Sequence, residues 1–179
     1  MHPNNIYRSR IDFKRYLPHI EKYLIDGTID FSDLEALSCL VKAQFLVDFG
    51  LKMEFSGDSL IPRLPNRLNY MHLVDDYVAF QKFQQKESSL KVIDIGTGAS
   101  CVFLVLLDQL VSNLKLTGLE PDSANFEQAS KNLTTNNLSD KICLKNEKYQ
   151  DHCENHDILV CNPPFFKNSE IQAGSVPEL

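Results

Sequence analysis

The 179-residue chain has no apolar run near the roughly 18 to 20 residues that a bilayer-spanning helix needs, and no charged stretch leading into a short apolar one. Membrane and secreted readings are disfavoured, and an intracellular place, nucleus or cytoplasm, is expected. The chain also has no Cys-x-x-Cys. Its five cysteines, Cys39, Cys101, Cys143, Cys153 and Cys161, are odd in number and lie mostly in apolar segments, which argues for reduced, mostly buried thiols instead of a disulfide framework. There is no internal repeat and no low-complexity tract. Positive charge is short as well: 18 Lys or Arg against 24 Asp or Glu leave a net −6, which taken alone argues against coating nucleic acid by bulk electrostatics. What remains is a chain with 43% hydrophobic residues, long enough to bury a real core as one soluble unit.

The charge is unevenly spread. Residues 1–25 hold Arg8, Arg10, Lys14, Arg15 and Lys22 against Asp12 and Glu21, a local balance of +3, so the remainder carries −9. Such a patch is either a solvated helix face or a nucleic-acid contact. Asp30-Phe31-Ser32-Asp33 offers a helix N-cap, and Leu34, Leu37, Leu40, Val41 and Phe45 set an amphipathic period that ends at Gly50. Residues 60–67, with Pro62 and Pro65, are expected to be an ordered loop, because proline lacks an amide donor and constrains the residue before it. A second helix is expected over 70–83, before a polar connection at 84–89. The chain therefore divides into a helical N-terminal module at 1–85 and an α/β region at 86–179.

From Leu90 onward short apolar strands alternate with helical stretches, the pattern of a parallel sheet. Strands are expected at 90–95, 114–120, 141–145 and 156–161, with helices at 99–111 and from Asp122 or Ser123 to about Asn136. A doubly wound nucleotide-binding sheet has six or seven strands. Four are visible, which leaves open a fragment, strands contributed by another polypeptide, or a half-fold.

Two constellations carry chemistry. In Asp94-Ile95-Gly96-Thr97-Gly98-Ala99-Ser100, at a strand-to-helix junction, Gly96 and Gly98 let the chain turn sharply and bring backbone amides close to a ligand. Cys101 stands where a dinucleotide fingerprint would have its third glycine, so the loop is not built for pyrophosphate. Glu120 ends the second strand, where an acid can accept hydrogen bonds from both ribose hydroxyls. Loop and acid together suggest an adenosine-containing cofactor without a pyrophosphate, a description that S-adenosylmethionine (SAM) fits.

The second constellation, Asn162-Pro163-Pro164-Phe165, follows the fourth strand and matches the (Asp/Asn)-Pro-Pro-aromatic tetrapeptide of amino methyltransferases. The prolines stiffen the loop, and the Asn162 oxygen and Pro163 carbonyl can accept both hydrogens of a planar amino group, drawing its lone pair out of conjugation. Phe165 then offers a face for a flipped base. Attack on a sulfonium methyl would rest on positioning and electrostatics. His152-Cys153-x-x-His156 has ligand-type residues at short spacing but no second pair, so no metal is expected.

Taken in order, Met1-His2-x-x-Asn5-x-Tyr7-Arg8, Asp48-Phe49-Gly50-Leu51, Leu60-Ile61-Pro62, Pro65-x-Arg67-Leu68-Asn69-Tyr70, Ile93 to Ser100, Asn136 to Asp140 and Cys161 to Phe166 resemble the methyltransferase-like protein 16 family. Its members are SAM-dependent RNA adenine-N6 methyltransferases that modify U6 small nuclear RNA and certain messenger-RNA hairpins; a bacterial relative modifies adenine in large-subunit ribosomal RNA. The resemblance implies a Rossmann-like methyltransferase sheet with its first four strands present. It implies that Arg67 meets the carboxylate of the SAM methionine, that Asp94, Gly96 and Gly98 lie against the cofactor, that Glu120 holds the ribose, and that Asn162 to Phe165 receive the target adenine. It places a further cofactor contact near Lys148 or Tyr149, and it supports Arg8, Arg10, Lys14 and Arg15 as phosphate contacts to a structured RNA. Family members continue past the Asn-Pro-Pro-Phe loop with the rest of the sheet. Two other readings stand beside this one: a protein glutamine methyltransferase, which also uses Asn-Pro-Pro-aromatic, and an inactive relative that binds RNA or protein as a scaffold.

Overall fold

A computed structural model describes residues 1–9, 11–55, 59–85, 89–151 and 155–163. The N-terminal part starts with a 3₁₀ turn at Phe13–Tyr16, a single helical turn α1 (Leu17–Ile20) and a second 3₁₀ turn at Glu21–Tyr23. A two-residue hairpin, β1 (Leu24–Ile25) and β2 (Thr28–Ile29), follows. It turns at Asp26 and Gly27, both at positive φ, where Asp-Gly fits the tight antiparallel turn. The long helices α2 (Leu34–Phe49) and α3 (Leu64–Gln85) lead into β3 (Leu90–Ile95), α4 (Val102–Leu110), β4 (Leu114–Leu119), α5 (Ser123–Thr135), β5 (Ile142–Lys145) and β6 (Ile158–Cys161).

The α2 ends are those the sequence announces. Asp33 caps it, its Oδ1 accepting from the Glu35 and Ala36 amides at 2.9 and 3.2 Å, and Gly50 closes it at φ 69°. Two boundaries differ from expectation. Helix α3 begins at Leu64, so Pro65, Asn66 and Arg67 are helical and not part of a loop. Proline is tolerated there because first-turn amides have no acceptor inside the helix. Helix α4 begins at Val102 and not at residue 99, because Cys101 is left-handed at φ 50° and the preceding turn closes with its amide on the Gly98 carbonyl at 3.2 Å.

The four sheet strands are all parallel in the order β5-β4-β3-β6. Successive connections run outward from β3 through β4 to β5, and the chain then returns to place β6 on the other side of β3. The order therefore reverses between β3 and β6, and their carboxyl ends open a crevice at the switch point. Helix α4 is buried from Val102 to Leu107, as a helix pressed between a sheet and a second helix must be. Phe45 of α2, Leu64, Leu68 and Met71 of α3, Leu104 and Leu107 of α4, and Val92 and Val160 of the sheet belong to one apolar core, so the helical part is welded to the α/β part. A smaller cluster, Tyr16, Ile20, Ile29, Ala36, Leu40 and Ala43, holds the first turns against α2. The outer face of α3 is apolar too, with Tyr70, Leu73, Tyr77 and Phe80 exposed. Of the four described cysteines, all free thiols, only Cys101 is buried and Cys143 is exposed on β5, fewer than the sequence led one to expect. No described helix is long and apolar enough to cross a membrane.

Polar contacts distant in sequence fasten the N-terminal segment. Asp48, its side chain wholly buried, accepts from the Tyr7 and Tyr16 hydroxyls, each at 2.7 Å, and pairs with the Arg15 guanidinium at 2.7 Å. Burial and the facing carboxylate raise the pKa of both tyrosines, which stay neutral donors. Asn5 donates to the Pro65 carbonyl at 2.9 Å, and the His2 amide donates to Asn69 Oδ1 at 2.6 Å. Asp48→Ala strands two buried hydroxyls and a guanidinium; a loss of about 3 kcal/mol of unfolding free energy is expected, with Asp48→Asn intermediate, read by urea denaturation.

Candidate active site

The site is built at the carboxyl ends of β3, β4 and β6. Leaving β3, the chain turns through Gly96 and Gly98, each at φ 68°. A Cβ placed on either would meet no atom within 4 Å, so this backbone faces open space that a ligand can enter. A side chain at either position would be held in the left-handed region that glycine alone occupies freely. The Gly96 and Thr97 amides donate to the Leu119 carbonyl at 2.9 and 3.0 Å, fastening the loop to the end of β4.

Glu120, one residue past β4 and 5% exposed, organises the turn from the other side. Its Oε2 accepts from the Gly98 amide at 2.7 Å and its Oε1 from the Asp122 amide at 3.0 Å. A carboxylate has about four acceptor positions, so one remains on each oxygen for a diol. Asn146, just beyond β5, donates to the Glu120 carbonyl at 2.7 Å and lies within 3.3 Å of the Ser123 hydroxyl. The sequence motifs do not single out Asn146, whose one local signal is its place just past the carboxyl end of a strand.

Asp94 lies deeper, 1% exposed, with Oδ2 accepting from the Thr97 hydroxyl at 2.7 Å. Its Oδ1 is buried without a partner among the described residues. Burial above all, together with the Glu120 charge, pushes the Asp94 carboxyl up to about 7, against the opposing pull of Thr97 and Arg67. The native state therefore binds a proton below pH 7 that the unfolded chain releases near 4, and stability falls as pH rises through that window. The free-energy difference between wild type and Asp94→Asn is expected to fall by up to about 1.4 kcal/mol per pH unit from pH 5 to 7 and then level off, read by denaturation at each pH.

Arg67, in the first turn of α3, reaches the same place. Its guanidinium lies 5.5 Å from the centre of the Phe103 ring, and its Nη1 donates to Asn162 Oδ1 at 3.2 Å. Burial lowers its pKa while the Asp94 charge raises it; an arginine so placed remains a cation. Pairing of Ile95 with Cys161 sends Gly96 and Asn162 out of the sheet side by side. Sequence-expected residues Arg67, Asp94, Gly96, Gly98, Glu120 and Asn162 are thus gathered at one crevice, with Pro163 exposed beside it. Pro164 and Phe165, like Arg10, His152 and Cys153, lie outside the described residues. Of the other basic candidates, Lys14 is exposed, Arg8 donates to the Pro3 carbonyl at 3.0 Å, and Arg15 is tied to Asp48. Tyr149 is exposed in its 3₁₀ turn after β5.

The crevice fits an adenosylated amino acid on its own terms: an open glycine cradle, a paired acid at a strand end, an orphaned buried carboxylate oxygen, and a half-buried guanidinium. The comparisons agree. The RNA N(6)-adenosine-methyltransferase METTL16 of Mus musculus is 33% identical over 186 residues, covering 94% of this chain and 33% of its own length. The chain thus spans about a third of the curated relatives it matches. The N-terminal domain of human METTL16 in complex with SAH superposes with a TM-score of 0.79 at 32% identity, covering 98% of this chain and 73% of that one. The hMettl16 catalytic domain in complex with MAT2A 3′UTR hairpin 1 gives 0.79 at 33% identity, covering 94% and 61%. These neighbours are Rossmann-like methyltransferase domains, and the parallel sheet with its flanking helices is of that class. A family model described as RNA methyltransferase matches residues 1–177, and the chain belongs to that family.

Proposed function

We propose that this chain carries the cofactor half and the base-receiving loop of a SAM-dependent RNA adenine-N6 methyltransferase acting on a structured RNA of the U6 or hairpin type, in the nucleus or cytoplasm. The carrying observation is the convergence of Asp94, Gly96, Gly98, Glu120, Arg67 and Asn162 at the β3–β6 switch point. The relatives named for RNA adenosine methylation, and those solved with SAH and with an RNA hairpin, support the same reading.

When bound, SAM supplies an electrophilic methyl group. Glu120 would hold the ribose hydroxyls while its two backbone partners keep the carboxylate aimed. Gly96 and Gly98 would let the backbone approach without a side chain in the way. Arg67 suits the amino-acid carboxylate because its planar fork makes two parallel hydrogen bonds. Asn162 Oδ1 and the Pro163 carbonyl would accept the two hydrogens of the adenine amino group, leaving its lone pair directed at the methyl. Arg67 occupies that Asn162 oxygen at 3.2 Å. Arg67 turned toward a carboxylate would release Asn162 for the base, which orders the two binding events.

Residues 1–85 would serve as the RNA-facing module, with Arg8, Arg10 and Lys14 as phosphate contacts and Arg15 contributing from its pair with Asp48. The test is incubation with tritiated SAM and a hairpin RNA bearing an unpaired adenosine. Label is expected in RNA, at N6 of that adenosine after nuclease digestion. Label entering protein would favour the glutamine reading, and label in neither would favour a scaffold.

A further inference from the structure

Beyond Gly50, the cap of α2, the chain runs through Lys52, Met53 and Glu54 without pairing to any strand among the described residues. Its backbone groups still need partners. Two asparagines of α5 and its C-cap, one helical turn apart on the same face, supply them. Asn136 Oδ1 accepts from the Lys52 amide, and its Nδ2 donates to the Lys52 carbonyl, both at 2.8 Å. Asn132 treats Glu54 in the same way, its Oδ1 accepting from the amide and its Nδ2 donating to the carbonyl, both at 2.9 Å. The two asparagines differ in one contact. Asn136 also donates to the Asn132 carbonyl at 2.8 Å, within its own helix, whereas Asn132 donates to the Ala99 carbonyl at 3.0 Å. Ala99 directly follows Gly98 in the turn that faces the crevice.

We infer that Asn132 is a positioning residue for the cofactor loop, and that it couples this loop to the segment leading from α2 toward α3. This role rests on the reading of the crevice as a SAM site and adds to it a residue that touches no ligand. The loop is held from two sides: Glu120 accepts from the Gly98 amide at 2.7 Å, and Asn132 donates to the Ala99 carbonyl. Bonds of opposite sense on successive residues fix the tilt of the peptide planes between them, which a glycine at positive φ leaves free. Asn132 is 2% exposed and both its amide hydrogens are taken, so loss of the side chain would strand buried groups at Glu54 and Ala99 together. Only a primary amide puts an acceptor and two donors on so short a side chain; an ionised aspartate lacks the donors, and leucine lacks all three. At its other end the clamp holds Glu54, upstream of α3, whose first turn carries Arg67. One buried amide thus ties the glycine cradle to the chain that delivers the guanidinium.

Asn132→Leu and Asn136→Ala, compared by isothermal titration with SAM and by steady-state methylation of hairpin RNA, test this role. Each removes one clamp from the same extended segment, and both are expected to lower the urea midpoint of unfolding. Only Asn132→Leu is expected to weaken SAM binding, by about 10-fold, with the KM for SAM rising to match and kcat at saturating SAM and RNA within about twofold of the wild type. Hydrogen exchange on the wild type covers the case of a variant that does not fold. SAM is expected to slow exchange at the Glu54 amide, which Asn132 holds, more than at the Lys52 amide, which Asn136 holds. SAM affinity unchanged in Asn132→Leu, affinity weakened equally in both variants, or exchange slowed equally at both amides would overturn the positioning role and leave the cofactor reading standing. A wild type that binds no SAM would overturn both.

Discussion

Asn162→Ala is expected to lower methyl transfer to RNA by about 10²- to 10³-fold while SAM affinity changes by less than about threefold. The magnitude is that of removing one preorganised hydrogen-bonding group from a site where it acts mainly on the transition state. The split between rate and affinity follows from geometry. Asn162 stands past β6 and touches Arg67, whereas the glycine cradle and Glu120 are built on β3 and β4. Removing the amide leaves the cradle intact and releases the Arg67 guanidinium from its 3.2 Å bond. SAM affinity should therefore hold or rise slightly, and single-turnover kinetics with saturating SAM would show the whole deficit in the chemical step. Asn162→Asp keeps an acceptor, adds a charge beside Arg67, and is expected to recover part of the rate. Unchanged labelling in Asn162→Ala would remove the loop from the reaction.

Glu120→Ala is expected to abolish measurable SAM binding, a loss of 10²-fold or more. The two charge-assisted hydrogen bonds proposed to the ribose hydroxyls would account for roughly 1.5 to 3 kcal/mol each. The same side chain also accepts from the Gly98 and Asp122 amides at 2.7 and 3.0 Å, so its removal slackens the turn that forms the cradle. Glu120→Gln retains one acceptor oxygen and should lose closer to tenfold. Isothermal titration with SAM reads both, and Arg67→Ala in the same series should fall between them. SAM affinity unaltered in Glu120→Ala would exclude this crevice as the cofactor site.

Those two residues lie open in the sequence for one reason: each sits where a short apolar strand ends, and strand ends are where parallel α/β sheets bind ligands. The same local grammar located β3 to β6 within one or two residues, the Asp33 and Gly50 caps of α2, and the Gly96–Gly98 turn. It failed at α3. Apolar side chains on both its faces, Leu64, Leu68 and Met71 inward and Tyr70, Leu73 and Tyr77 outward, blur the helical period, and Pro65 reads as a breaker until it is placed in the first turn. Sequence patterning therefore puts Arg67 in a loop, whereas its position in the first turn of α3 is what carries its guanidinium to the crevice.

From sequence alone came the class of sheet, the carboxyl-end residues of its strands and, through the family resemblance, the chemistry proposed for them, because strand patterning, turn glycines and caps act between neighbours in the chain. Tertiary structure alone decided what distant residues do together. Arg67 and Asn162 meet across 95 positions. Arg15, read from charge as a phosphate contact, is spent partly on Asp48, where it helps seat Tyr7 and Tyr16. Gln44, a polar residue on an amphipathic helix, is buried with its amide nitrogen unpaired among the described residues. Such pairings come from the packing of whole elements around one core, where side chains far apart in the chain must share the few hydrogen-bond partners that burial leaves.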